Sequence, residues 1–209
     1  MIDKKRLAQA VEVCLAENKG KRKFQQSVDL AIGFENVDFK KPDDKLNLTL
    51  LLPHAPKKQS ILVYADGQVE MEAKNHADLV LNKAQVNEYS KDAKKAKTLV
   101  KYNSLAVPTL MAEVGKKLGK YLRGKMPAVL PPGADIKAFI ERSARTISIK
   151  SKGKMLPAAH CIIGNESMSA EEITDNAKTV LEALYKKFNE HQFKSIVIKT
   201  TMGKPVKVK

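Results

Sequence analysis

Tryptophan is missing from this 209-residue chain, and cysteine occurs only twice, as Cys14 and Cys161. The two thiols lie far apart without CxxC spacing, so neither a disulfide framework nor a cysteine-based metal site is indicated, and a reducing compartment suits them. No apolar run reaches the roughly 18 residues of a membrane span. The opening residues Asp3, Lys4, Lys5 and Arg6 are followed by no apolar signal core. A cytoplasmic protein without membrane contact is expected, and the glycosylation matches Asn47-Leu48-Thr49 and Asn165-Glu166-Ser167 count as chance. Arginine is scarce as well. Only Arg6, Arg22, Arg123, Arg142 and Arg145 stand among the 38 basic residues, so most positive charge is on lysine, a mobile point charge suited to phosphate rather than to bidentate base reading.

That positive charge is the main thing present. Against 23 acidic residues the basic ones leave a formal +15 and a pI near 9.7, which points to polyanionic partners. A merely soluble lysine-rich surface would show the same excess, so charge by itself does not decide. With 43% hydrophobic residues the chain can build one large core or two smaller ones.

Residues 3 to 17 place Leu7, Val11, Cys14 and Leu15 at helical spacing, the pattern of a helix with one face packed inward. Val28, Leu30, Ile32 and Phe34 then alternate with Ser27, Asp29, Ala31 and Gly33, the period of a half-buried strand. A second strand is expected at 46 to 52, ending at Pro53. From about residue 58 the pattern becomes short apolar strands between helical segments. Strands are expected at 61 to 65, weakly at 85 to 89, and at 105 to 107; helices near 75 to 82, 91 to 102, 109 to 122 and 135 to 144. After Arg145 alternation returns at 146 to 150. Ser169 with Glu172 forms a capping box ahead of Ile173, Ala177, Val180, Leu181, Leu184 and Phe188, and an alternating strand follows at 193 to 199. The fold expected is an α+β split domain, residues 1–57 plus 145–209, with an inserted α/β Rossmann-like domain at 58–144, parallel strands and crossover helices. The split portion holds +9 of the +15.

Enzymatic motifs are incomplete. Residues 119 to 126 come within one residue of a phosphate-binding P-loop, but Met126 stands where a hydroxyl must reach magnesium, and helix rather than strand precedes it. A nucleotide-binding enzyme or switch at 119–126 is thus the alternative function, and the bland reading is a basic surface turn. His54, His76, His160 and His191 lack metal-ligand spacing, and His160 and Cys161, adjacent on a strand, would point to opposite faces. No enzyme activity and no cofactor or metal are expected.

Two segments look shaped for contact: Lys23-Phe24-Gln25-Gln26-Ser27-Val28-Asp29 at the start of one strand, and Thr200-Thr201-Met202-Gly203-Lys204-Pro205 at the end of another. If the end strands pair, these segments share a rim in which hydroxyls and backbone groups meet ribose and phosphate while apolar groups pack on bases. The competing reading has Phe24 and Met202 merely capping the core.

KFQQSVDLAIGF (23–34), Leu52-Pro53-His54, GKKLGKYLRGKMP (115–127), HCIIGNESMSAEEITDNAKTVLEAL (160–184) and TTMGKPVKV (200–208) together resemble the ribosomal protein L-one family of the large subunit, in its archaeal and eukaryotic form. The resemblance covers almost the whole chain, and the TMGKP ending is its most specific part. It implies a split domain with a Rossmann-like insertion and binding to the mobile rRNA stalk near the exit of deacylated tRNA. It further implies translational repression through the protein's own mRNA, and a monomer when free. Residue by residue, Phe24, Ser27 and Asp29 match the family's RNA-contact strand, Thr201, Met202 and Gly203 its contact loop, and His160 a neighbouring position; Lys23 completes the expected RNA-binding set. Ser27 and Asp29 stand where bacterial members usually have Thr and Glu, and Ala55-Pro56 replaces a glycine-containing turn, which restricts the backbone there.

Overall fold

A computed structural model of the chain describes residues 4–18, 20–41, 44–122, 125–131, 133, 135–151 and 157–208. In chain order the elements are α1 (Lys4–Asn18), β1 (Ser27–Phe34), β2 (Asn47–Leu51), β3 (Ile61–Tyr64), α2 (Gln68–Lys74), β4 (Leu79–Leu81), α3 (Lys83–Lys91), α4 (Ala93–Thr98) and a 3-10 turn (Leu99–Lys101). They continue as β5 (Asn103–Ala106), α5 (Pro108–Leu122), β6 (Ala128–Val129), α6 (Ile136–Arg145), β7 (Thr146–Lys150), β8 (Ala158–Asn165), α7 (Ala170–Tyr185), a 3-10 turn (Glu190–Gln192), β9 (Phe193–Thr200) and β10 (Val206–Lys207). The architecture is α+β with antiparallel and parallel sheets. Two compact units divide the chain, one from Met1–Lys57 with Arg145–Lys209 and one from Lys58–Ala144.

In the first unit the strands run in the order β10-β9-β1-β8, each pair antiparallel. Burial along β1 alternates strictly, with Val28, Leu30, Ile32 and Phe34 buried and Ser27, Asp29, Ala31 and Gly33 half-exposed. The buried face packs on Val11 and Cys14 of α1 and on Ile173, Val180 and Leu184 of α7. Period two on the strand and period 3.6 on the helices therefore meet in one core, while the other sheet face stays open. Ser169 and Glu172 form their reciprocal cap, with Glu172 N–H donating to Ser169 Oγ (3.2 Å) and Ser169 N–H to Glu172 Oε2 (3.0 Å). At the end of β1 away from Ser27, Phe34 packs against Phe39, Phe188 and Phe193 with centroids 5.7, 4.9 and 5.3 Å apart, which closes that end of the core. A separate two-stranded ribbon pairs β2 with β7.

In the second unit β4-β3-β5-β6 form a parallel sheet. All of β3 is buried, because both faces are covered: Leu62 and Tyr64 face α3, α4 and α5, whereas Ile61, Val63 and Ala65 face α2 and α6.

Two expectations change at this level. The helix expected near 75 to 82 is instead strand β4 at Leu79–Leu81, since a short apolar run in a sheet covered on both faces carries no alternation to distinguish it. The weak strand expected at 85 to 89 lies in α3, where Gln85 N–H donates to Asn82 Oδ1 (3.0 Å) and Asn82 N–H to Gln85 Oε1 (3.1 Å), a capping box that starts a helix. The helix expected ahead of the near-P-loop is present: Gly119 and Lys120 lie in the last turns of α5, not in a strand-to-helix loop, and Arg123 and Gly124 fall outside the described residues. The P-loop alternative at 119–126 loses its required context.

Candidate nucleic-acid interface

The beginning of β1 and the end of β9 are antiparallel neighbours, Val28 opposite Thr200, and a short hydrogen-bond lattice binds the segments beyond them. Thr201 N–H donates to the Ser27 carbonyl (3.0 Å), Ser27 N–H donates to Thr201 Oγ1 (3.2 Å), and the Thr201 hydroxyl donates to the Ser27 carbonyl (3.3 Å). Gly203 N–H turns back onto the Thr200 carbonyl (3.1 Å). Thr201 thus spends its hydroxyl inside the protein and acts as a strut.

Gln26, 1% exposed, is the hub of this lattice. Its Oε1 accepts from Met202 N–H (3.1 Å), its Nε2 donates to Glu166 Oε2 (3.4 Å), and its carbonyl accepts from Glu166 N–H (3.0 Å). One buried amide therefore ties the chain ahead of β1 to the loops after β8 and β9. Sequence reading placed Gln26 in the right segment but gave it no role, because a buried amide and a surface amide look alike in a string of letters.

Asn165 extends the lattice. Its Oδ1 accepts from Ser167 N–H (2.9 Å) and the Ser167 hydroxyl (2.6 Å), and its Nδ2 donates to the Pro56 carbonyl (3.3 Å). Further in, fully buried Asn176 of α7 donates to the Ile163 and His54 carbonyls (2.8 and 3.0 Å) and accepts from His54 N–H (3.0 Å). The Leu52-Pro53-His54 turn is pinned by that amide, a structural task that motif recognition did not reveal.

Around this frame the expected site residues take defined places. Phe24 and Met202 are 51% and 59% exposed, so neither caps the core. Lys23 stands exposed just ahead of β1, and Gly203 is partly exposed after Met202. Ser27 and Asp29 lie on the open sheet face. Across the ladders Asp29 pairs with Lys199 of β9 and Ile162 of β8, and the next rung joins Ala31 to Val197 and to His160. The structure thus brings Ser27, Asp29, His160, Thr201, Met202 and Gly203 onto one edge and adjoining sheet face, with Phe24 and Lys23 on the approach to it.

Partial burial lifts the Asp29 carboxyl above its ordinary 3.8, while the nearby charges of Lys199 and His160 pull it back down. The acid expected to need explanation therefore has a cation across the ladder. Cys161, on the strand face opposite His160, is pushed up to about 12 by burial and by Asp29, which leaves it a thiol and a poor nucleophile at neutral pH. Lys199 and Ile162, the latter 40% exposed, were missed by sequence reading. Alternation along β9 contained the signal for Lys199. For Ile162 the signal was hidden by a β-bulge: Val28 pairs with Gly164 but Asp29 with Ile162, and the extra residue breaks the period.

The arrangement offers exposed apolar groups, side-chain hydroxyls, one partly buried carboxylate and lysines around an open sheet face, a mixture suited to ribose, base and phosphate. Among the described residues no group of three or more His, Cys, Asp or Glu side chains is placed to hold a metal ion, and no helix is long and apolar enough to cross a membrane.

Comparison with known proteins gives a consistent result. A profile of the ribosomal protein L1p/L10e family matches residues 14–204. Among curated relatives, the large ribosomal subunit protein uL1 of Thermofilum pendens is 41% identical over 209 residues, spanning 97% of this chain and 92% of the relative. Proteins of the same name from Pyrobaculum neutrophilum and Archaeoglobus fulgidus are 37% and 36% identical, each covering all of this chain and 96% and 99% of the relative.

Proposed function

Because the chain belongs to the ribosomal protein L1p/L10e family, whose members are structural RNA-binding proteins rather than enzymes, we propose that it binds the mobile rRNA stalk of the large subunit near the exit of deacylated tRNA. The same surface would bind a similar fold in the protein's own mRNA and repress its translation. In this reading residues 1–57 and 145–209 form the split RNA-binding domain, residues 58–144 a Rossmann-like insertion with a second, weaker contact, and the free protein is a cytoplasmic monomer. The observation that carries the reading is the lattice joining Gln26, Ser27, Thr201 and Met202. It fixes the turn that carries exposed Met202, with Phe24, also exposed, two residues ahead of Gln26, near the half-exposed Ser27 and Asp29, a mixture suited to base, ribose and phosphate.

Lysines supply salt-sensitive attraction, and the rim made by Lys23, Phe24, Ser27, Asp29, His160, Thr201, Met202 and Gly203 selects the folded RNA. Asp29 repels phosphate, so its acceptor oxygens serve a 2′-hydroxyl or a base amino group. The deciding test is binding of the purified protein to an rRNA stalk fragment and to an unrelated duplex of equal length across a salt series. The stalk fragment is expected to keep its advantage as salt rises. Parallel decline of both affinities would reduce the interaction to the net +15 and remove the site assignment.

A further inference from the structure

The parallel sheet of the second unit opens a crevice at its carboxyl end. After β3 the chain turns into α2 on the Ile61 and Val63 side, and after β5 it turns into α5 on the Leu62 and Tyr64 side. Neighbouring strands whose helices depart to opposite faces leave a gap between their ends, the place where parallel α/β sheets hold ligands. A pocket of about 240 Å³ lies there, lined by segments that follow β3, β5 and β6. Val69, Val107, Leu130 and Ile136 form its apolar walls, and Gln68 and Glu72, both exposed, are its polar side chains.

The lining decides what can enter. Among the described residues no lysine or arginine lines the pocket, and Glu72 repels phosphate, so the nucleotide that such crevices commonly take does not fit. The volume lies below the roughly 300–1,000 Å³ of small-molecule sites and suits one large aliphatic side chain. Glu70 is paired with Lys74 at 2.8 Å, and Asp135 is occupied in capping α6 through Lys137 N–H at 2.9 Å, but Glu72 has no ion-pair partner among the described residues. Met71, one turn on from Gln68, is 73% exposed, and methionine adapts its shape to varied apolar partners. This is also the negative side of a basic protein: residues 58–82 and 126–144, which hold α2 and α6, net −2, whereas residues 83–125, which hold α3, α4 and α5, net +8. A sheet and helices about 10 Å across part the two layers by more than the Debye length of about 8 Å at physiological salt. A cation at the pocket therefore meets the local carboxylates rather than the lysines beyond the sheet.

We propose that this pocket is a docking site for a basic polypeptide: one large aliphatic side chain enters between α2 and α6, while a lysine or arginine beside it pairs with Glu72 and lays its stem along Met71. Burial of the aliphatic group supplies most of the affinity. The carboxylate selects for positive flanks and against polyanions, and the long apolar stem of a basic side chain suits an exposed thioether. The occupant is a protein, so the inference stands whether or not the chain selects the rRNA stalk.

The probe is a synthetic peptide with one leucine between two pairs of lysines, titrated into the full isotope-labelled chain while backbone amide shifts are followed by NMR. Shifts are expected to centre on Val69, Glu72, Val107, Leu130 and Ile136. Binding should weaken about tenfold when the leucine of the peptide is replaced by alanine, and vanish when its lysines are replaced by glutamates. Glu72→Lys is expected to weaken the leucine peptide about fivefold, whereas Glu88→Lys, the same change of charge on α3, leaves it as in the parent. Glu72→Gln, close in shape to the parent side chain, should fall between, and it keeps the test readable if the lysine disturbs α2. Absence of shifts at these amides overturns the proposal. Equal affinity of the leucine and alanine peptides, or equal weakening by Glu72→Lys and Glu88→Lys, reduces the binding to charge and overturns it too. Duplex RNA that shifts the same amides and displaces the peptide would assign the pocket to nucleic acid, with the same consequence.

Discussion

The sheets of the two units solve the same burial problem differently. In the first unit an antiparallel sheet is covered on one face, so β1 alternates buried and half-exposed positions; in the second a parallel sheet is covered on both, so every residue of β3 is buried. Only the first kind can use the sheet face as a recognition surface. The second has its sheet sealed, and its outward chemistry is limited to helix surfaces, which is where its lysines stand.

The sharpest way to break this contrast is to put the same charge on each sheet. Val63→Lys, on fully buried β3, is expected to cost more than about 4 kcal/mol, because a charge without a partner is buried. Val197→Lys, half-buried on the open face, is expected to stay within about 0.5 kcal/mol, as surface changes do. Chemical denaturation of each variant separates the cases, and comparable losses would mean that the open face is not open.

An intermediate effect is expected from Gln26→Ala. It strands Met202 N–H and removes the side-chain link to Glu166, at a cost of about 1–3 kcal/mol for unsatisfied buried groups, and it lowers stalk-over-duplex preference by loosening the rim. Unchanged stability together with unchanged preference would show that the lattice is not needed to hold the rim.

Asp29→Asn should give the smallest effect and the one with a pH signature. A carboxyl whose folded pKa lies above its unfolded value binds more protons when folded, so stability falls as pH rises from about 3.8 through the raised value. The asparagine variant lacks that loss. Its melting temperature is therefore expected to exceed the parent's slightly at neutral pH, and the difference to vanish in acid below the unfolded pKa. A gap that widened in acid would reverse the sign and mean that Lys199 outweighs burial.

Legibility followed the same contrast. Strand β1 and helix α7 were readable because each has one wet and one dry side, and Ser169 with Glu172 marked where the helix begins. Strand β4 was not readable, since three consecutive apolar residues, Leu79 to Leu81, show no alternation. Strand β8 escaped for another reason: it is half-wet, but its bulge places Ile163 and Gly164 consecutively inward, and an alternation rule stumbles there. Of the proposed site, Phe24, Ser27, Asp29, Thr201, Met202 and Gly203 were named from their segments and from family resemblance. Lys199 and Ile162 needed the ladder pairing.

Composition and periodicity alone determined that this chain folds around helices and strands with dry faces and that it carries a large positive excess, because burial and net charge are properties of residue type and spacing. Tertiary structure decided which residues share an edge. Strand register brings Ser27 beside Thr201 across 174 positions, buries Gln26 between three segments, and sets a carboxylate opposite a lysine. It also places most of the lysines of the second unit on one side of its sheet, with Lys74 of α2 and Lys137 of α6 on the other. Such juxtapositions depend on long-range hydrogen-bond pairing, which no local pattern encodes.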